Sequence, residues 1–544
     1  MTCTIDRQIT KPPRLRQFQI ALLIALLSVA IAVRLPGLTH RAIWGDEAIT
    51  LMETAGHPIP AWPKVPTPAE VIQVQIFQGT PTLGKIADDL RRTDVHPPLY
   101  YWCLALWRRW FGFSLETARA FSLLCSVATV LTLYLSLRIC KLQNPLIPTL
   151  VYALSSISVN AGHDARDYAL ASLWVVAGVL FALLADRAGN FRWDGNPHTP
   201  QRCAVYTTAM GLCCGAAFQT NYLALFPTSV TLLWFAISLW PRSRRLALAG
   251  PLLSIAIWLA GWPILSTQLG ARTGQAVGFR GVWADLSQLW LANMQMIAAP
   301  ARASQMQLPT VCVGLLFVAL LVITGFQLIK HRANPSRRPL ALMVALALVP
   351  SMGLFALNVI ANKHLSSARY IMLAAPFLSV CLAYGISTLR FSMRYLGTML
   401  LVLLIGLQLV AINWGDESTY LQGGTNLRSF AQTVNASSTS PLVMVSRGFD
   451  YGRGGQGALI YELSPPTIAV SVGNNSTLDE LPFSLEPYAD VWLALFPKFS
   501  KSGGATILSS LRQSPDYVEV PVERESYDWR SSVYHFKSRR SPQS

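Results

Sequence analysis

The feature that most constrains this chain is a series of apolar runs, each close to the length an α-helix needs to cross a bilayer. At 1.5 Å rise per residue a span takes roughly 20 residues. By that rule the sequence holds about eleven: 18 to 34, 118 to 138, 146 to 160, 168 to 186, 203 to 218, 221 to 240, 246 to 265, 310 to 329, 339 to 361, 370 to 388 and 395 to 413. The third and fifth are short. Composition agrees, with 52% hydrophobic and 13% charged residues and a mean hydropathy of +0.38, far from the soluble balance of roughly one quarter charged. The formal net charge of +17 is scattered in short groups between apolar runs. No basic tract is interleaved with exposed aromatics, so nucleic acid is not an expected partner. Nine cysteines form no CxxC pair, and eight of them lie in or beside apolar segments, which points to neither a zinc site nor a disulfide framework. The first run lacks a small-residue cleavage site and reads as a retained helix, not a signal peptide.

Orientation follows from the cations, because cytoplasmic loops keep Lys and Arg. One alternating set is dense with them: Arg7, Lys11, Arg14 and Arg16; Arg138 and Lys141; Arg187, Arg192 and Arg202; Arg242, Arg244 and Arg245; Lys330, Arg332, Arg337 and Arg338; Arg390 and Arg394. The opposite set holds the long loop 35 to 117, the segment 161 to 167, the turn at Gln219, the loop 266 to 309 and residues 362 to 369. A multi-pass integral membrane protein follows, in a plasma (inner) membrane. Residues 1 to 17 are expected to be cytoplasmic, 18 to 413 to form the transmembrane domain, and 414 to 544 to lie outside.

That tail changes character. Strand-like runs at Leu442 to Ser446, Thr467 to Val472, Val491 to Phe496, Tyr517 to Val522 and Ser532 to Phe536 alternate with helical periodicity at Asn426 to Val434 and Ala505 to Arg512. A small extracytoplasmic α/β domain is expected, and it carries no catalytic cluster. Gly452-Arg-Gly-Gly-Gln-Gly lacks the context of a phosphate-binding fingerprint and reads as a flexible loop.

Ionisable residues at a membrane edge are costly, so each is a functional candidate. Those of interest fall on the outer side. Trp44-Gly-Asp46-Glu47 places two adjacent carboxylates at the start of a short helix, where the plainer reading is a cap and a first-turn acid. At the end of the same loop, Asp94-Val-His96-Pro97-Pro98-Leu-Tyr100-Tyr101-Trp102 opens a helix suited to the interface. His96 is a cap, a donor to a substrate phosphate or, less favoured, a metal ligand. His163-Asp164-Ala-Arg166-Asp167-Tyr168 crowds ionisable groups together, and Lys363-His364-Leu-Ser-Ser-Ala-Arg369-Tyr370 offers two cations. Lys363 and Arg369 either snorkel to the interface or grip a phosphate, Arg with a bidentate fork.

At Trp44-Gly-Asp46-Glu47-Ala, His96-Pro97-Pro98-Leu-Tyr100-Tyr101, Asp164-Ala-Arg166-Asp-Tyr168 and Arg369-Tyr370 the sequence resembles the C-type glycosyltransferases. It looks most like the branch with protein O-mannosyltransferases and the lipid A aminoarabinose transferase, over roughly residues 15 to 415. The resemblance implies an all-α polytopic membrane fold, a first outer loop bearing the catalytic carboxylate, a polyprenyl-phosphate-linked sugar donor and inversion at the anomeric carbon. Asp46 matches the family's acidic position. Where the family often has an acidic residue or Gln before Ala-Arg and Pro before Tyr, this chain has Asp164 and Asp167.

A bottom-up reading points the same way. Nucleotide sugars are cytoplasmic, so outward-facing chemistry needs a donor that has already crossed the membrane. The expected roles are Asp46 as base, Glu47 as its orienting or acceptor-binding neighbour, and Arg166, Lys363 and Arg369 as phosphate contacts. His96, Tyr100, Tyr101, Asp164, Tyr168 and Tyr370 are expected to line the donor and acceptor groove. The expected partners are a polyprenyl-phosphate sugar, an extracytoplasmic acceptor (lipid, glycan or protein) and membrane lipid. A divalent metal ion is an open option, adjacent carboxylates alone making a poor cage. Two other classes compete: a lipid or saccharide transporter or flippase, which would show internal repeats and mid-span charges, and a lipid-linked saccharide ligase or polymerase, which would show an outer loop rich in Arg and His.

Overall fold

The computed structural model describes residues 13–142, 144–190, 198–271, 278–297, 318–320, 322–326, 337–392, 394–414, 424–437, 440–446, 452–473, 476–496, 505–522 and 532–539. It opens with α1 (Pro13–Ala32), followed by five short helices and a two-residue strand in the outer loop: α2 (Leu35–Thr39), α3 (Gly45–Thr54), β1 (Thr67–Pro68), α4 (Ala69–Phe77), α5 (Leu83–Thr93) and α6 (Leu99–Phe111). The membrane part continues with α7 (Leu115–Ile139), α8 (Leu146–Ala153), α9 (Ser156–Gly162), α10 (Tyr168–Asn190), α11 (His198–Thr220), α12 (Leu225–Leu239), α13 (Arg244–Ala260) and α14 (Trp262–Ala271). It ends with α15 (Val282–Ile297), α16 (Arg337–Ala361), α17 (Ala368–Ile371), α18 (Ala375–Ser392) and α19 (Arg394–Trp414).

Among the described residues seven helices are long and apolar enough to cross a membrane, or eight if the pair α13 and α14, bent by 51°, is one span. They match predicted runs, and they make this an integral membrane protein. The apolar window of α1 is 17% buried and that of 368–389 is 83% buried, so α1 is peripheral and α18 central. Outward apolar side chains such as Ile24, Leu259 and Val402 suit a lipid-facing surface. The predicted run 146 to 160 is divided into α8 and α9 by a break at Leu154 and Ser155. The run 310 to 329 lies mostly outside the described residues.

The tail folds as α20 (Gly424–Asn435), β2 (Leu442–Ser446), α21 (Gly452–Glu462), β3 (Ile468–Val472), β4 (Asp490–Leu495), α22 (Ala505–Gln513), β5 (Tyr517–Val520) and β6 (Ser532–Ser538). Its sheet has the order β1-β3-β2-β4-β6-β5, with β2 parallel to β3 and β4, and β6 antiparallel to β4 and β5. Both faces are covered, which is why β2 reads as an unbroken apolar run. Val443 and Val445 join the core continuous with the membrane helices, while Leu442 and Met444 pack with Ile507 and Leu511 of α22. The edge strand comes from the outer loop: Thr67 pairs with Ala469 and Pro68 with Ile468, and Pro68 is tolerable there because an edge need not donate.

The glycine-rich stretch at 452 is a correction. It forms α21, not a flexible loop, and its glycines serve close packing against α3. A Cβ on Gly454 would lie 2.7 Å from the Gly45 carbonyl oxygen, and one on Gly457 would lie 3.2 Å from Ala48 Cβ.

Candidate active site

Helix α3 carries both loop carboxylates in its first turn, and the buried one fixes its position. Arg119, near the start of α7, donates from Nε to Glu47 Oε1 at 2.8 Å and from Nη2 to Oε2 at 2.6 Å. Its remaining donors reach the carbonyls of Gly37, Leu38, Arg41 and Ala42. Ala165 N–H also donates to Glu47 Oε1, at 2.9 Å. Burial pushes the Glu47 carboxyl up, but the Arg119 charge and hydrogen bonds outweigh it and hold the group below its ordinary value.

Asp46, one residue earlier, remains accessible. Its side chain is 35% exposed, and Arg369 Nη1 stands 3.4 Å from Oδ2 with its own side chain 33% exposed. Arg369 also donates from Nη2 to the Tyr370 hydroxyl at 3.0 Å and lies over that ring, 4.9 Å from its centroid. Beneath Asp46 the buried Arg166 donates from Nη1 to the Asp46 carbonyl at 3.3 Å, Thr50 Oγ1 at 2.9 Å and the Tyr101 hydroxyl at 3.4 Å. Its Nη2 reaches His96 Nε2 at 3.1 Å. His96 Nδ1 lies 2.9 Å from Asp94 Oδ1, and the Tyr101 hydroxyl donates to Asp94 Oδ2 at 2.9 Å. Burial alone would raise the Asp94 carboxyl; His96 and Arg166 beside it hold it well below the usual carboxylate range. Burial keeps the Tyr101 hydroxyl protonated, with the Asp94 charge adding to the effect.

Three further candidates border this cluster. Asp164 accepts the Trp44 indole N–H at 2.7 Å, and burial, aided by the Glu47 charge, pushes its carboxyl up to about 7. Tyr100 packs edge-on against Tyr101, with ring centroids 5.5 Å apart. Tyr168 is buried at the start of α10, and Asp167 beside it accepts from Asn221 Nδ2 at 2.8 Å, which accounts for the extra acid in that motif. Lys363 forms an isolated backbone bridge to Gly278, next to His364, whose ring pairs with the buried Asp285. The structure therefore brings Asp46, His96, Tyr101, Arg166, Arg369 and Tyr370 into one network. Beside it, an apolar groove of about 630 Å³ starts at Pro98 and Leu99 and runs between Trp102, Trp174, Ile257 and Ile264.

Among the described residues no group of three or more His, Cys, Asp or Glu side chains is arranged to hold a metal ion. Both Glu47 oxygens are engaged by Arg119, so Asp46 and Glu47 do not offer a shared cage. Sequence reasoning assigned no role to Arg119, Thr50 or Asp94. The signal for Arg119 was its place within an apolar run, where an unpartnered cation is costly; Asp94 stood two residues from His96.

No protein-family model matches this sequence, and no curated protein does. Among solved structures, ArnT from Cupriavidus metallidurans in the apo state is similar, with a TM-score of 0.51 at 13% identity, covering 95% of this chain and 98% of that one. ArnT bound to undecaprenyl phosphate gives 0.48 at 13% identity, over 94% and 97%. The archaeal oligosaccharyltransferase AglB from Archaeoglobus fulgidus, with an inhibitory peptide and a dolichol-phosphate, gives 0.44 at 11%, over 88% and 70%. The first likeness is one of fold, and it places the chain in the C-type glycosyltransferase fold. Its 95% coverage is more than residues 15 to 415 can supply, so it reaches into the C-terminal sheet, which the motifs do not.

Proposed function

We propose that this protein transfers a sugar from a polyprenyl-phosphate donor to an acceptor hydroxyl outside the cytoplasmic membrane, with inversion at the anomeric carbon. One observation carries the reading: a part-exposed carboxylate, Asp46, faces a part-exposed guanidinium, Arg369, at 3.4 Å over a buried polar network. Asp46 takes the acceptor proton as the hydroxyl oxygen bonds to the anomeric carbon. The bond from that carbon to the phosphate oxygen breaks, and the departing polyprenyl phosphate keeps the electron pair. Arg369 meets that charge, with Lys363 as a second cation for it. Arg166 has its guanidinium amino groups engaged by Thr50, Tyr101 and His96, so it acts as a fixed charge that orients His96 toward the phosphate. Glu47 orients the helix instead of touching substrate. The groove at Pro98 suits a prenyl tail, being almost wholly apolar and starting two residues past His96.

The test is reconstitution in nanodiscs with polyprenyl-phosphate sugars, reading donor binding and product separately. Asp46→Asn keeps the shape but not the basicity, so turnover should fall by about 10²–10⁴ with donor binding retained. Arg369→Ala should weaken donor binding. Full turnover in Asp46→Asn would remove this residue from the mechanism.

A further inference from the structure

Helix α7 links the candidate site to a second cavity. Arg119 holds Glu47 near one end of this helix, and Arg138 stands near the other. The nineteen residue steps from one to the other rise about 28 Å at 1.5 Å each, close to the hydrocarbon thickness of roughly 30 Å. At that far interface a cavity of about 630 Å³ opens between α1, α7 and α8. Arg138 and Lys141 line it, both exposed, and among the described residues no Asp or Glu does. Phe18, Leu22 and Ile147 supply an apolar wall. The Arg138 guanidinium lies 5.9 Å from the centre of the Tyr134 ring, which holds the cation beside that wall. The chain turns back there through left-handed backbone at Lys141 (φ 54°) and Asn144 (φ 51°), both lining the cavity.

We propose that this cavity binds the headgroup phosphate of an anionic phospholipid, from the leaflet opposite the candidate active site. Two cations without a counter-acid favour an anion, and the interfacial depth and apolar wall favour one that brings acyl chains. A free phosphate gains nothing from the wall. A zwitterionic headgroup adds its own cation next to the two already present. The proposal does not depend on the glycosyl-transfer reading, since it concerns the other end of the helix.

Native mass spectrometry of the full-length protein, titrated with phosphatidylglycerol or phosphatidylcholine, tests it. The expected preference for phosphatidylglycerol is on the order of tenfold or more, from two interfacial cations. Arg138→Gln with Lys141→Gln should bring the two lipids to parity. Leu22→Trp, at a part-exposed position, fills the cavity without changing charge and should also lower phosphatidylglycerol retention. Three results overturn the proposal: equal retention of both lipids by the parent protein, a preference surviving in the double variant, or one unaffected by Leu22→Trp. Displacement of phosphatidylglycerol by millimolar inorganic phosphate would also overturn it, identifying a free-anion site.

Discussion

Asp46 and Glu47 are neighbours in sequence, yet their side chains are 35% and 1% exposed. Successive residues of a helix point about 100° apart, so one first turn can offer a carboxylate to substrate and sink the next into the protein. Removing one partner of a buried ion pair leaves the other charge stranded, at about 3–5 kcal/mol. Glu47→Gln should therefore melt well below the parent in thermal unfolding, whereas Asp46→Asn should melt close to it. A Glu47→Gln variant of parent stability would show that Arg119 finds other partners. Asp164 gives a pH signature. Its folded value of about 7 lies above the ordinary 3.8, so between those limits the native state holds a proton that the unfolded chain has lost. Stability should fall as pH rises across that window and level off above it, and Asp164→Asn should flatten the slope. At this scale the sequence was legible in which residues meet, since the motifs at 46, 96, 166 and 369 converge. It was less so where they serve position, because nothing local to Arg119 names a partner 72 residues away.

Among elements, the contact between α3 and α21 shows what glycine patterns conceal. Read alone, four glycines within six residues of 452 argue for a loop, since glycine costs a helix about 1 kcal/mol each. Packed against Gly45 and Ala48, the same glycines let two helix backbones approach closely, and the burial offsets the intrinsic cost. Gly457→Leu must displace Ala48 and Met52, and overpacking of this kind costs about 1–3 kcal/mol. Because Ala48 and Met52 lie on the helix that carries Asp46, the variant should lose turnover as well as stability. Unchanged kcat in a correctly folded Gly457→Leu would show that α3 tolerates the shift. The five predicted tail strands and both tail helices reappear within a few residues of their expected limits, since alternation and helical period are local signals. Strand β1 was invisible, for two residues have no period and Thr67–Pro68 becomes a strand only by meeting β3.

For the whole molecule, pairing of β1 with β3 puts the outer loop and the tail on one side of the membrane, which requires an even number of crossings between them. In a cysteine-free background, single cysteines at Gln78 and Val518, both exposed, should react with an impermeant reagent in intact cells, and one at Lys141 only after permeabilisation. Reaction at Lys141 in intact cells would reverse the orientation. The same stitching sets an order of events during synthesis. Ile43 N–H donates to Glu462, 419 positions later, so at about 5–20 residues per second the loop bearing Asp46 waits about 20–80 s for its partner. A nascent chain already inserted through its early helices thus has an incomplete candidate site until the tail segment that carries Glu462 has been made.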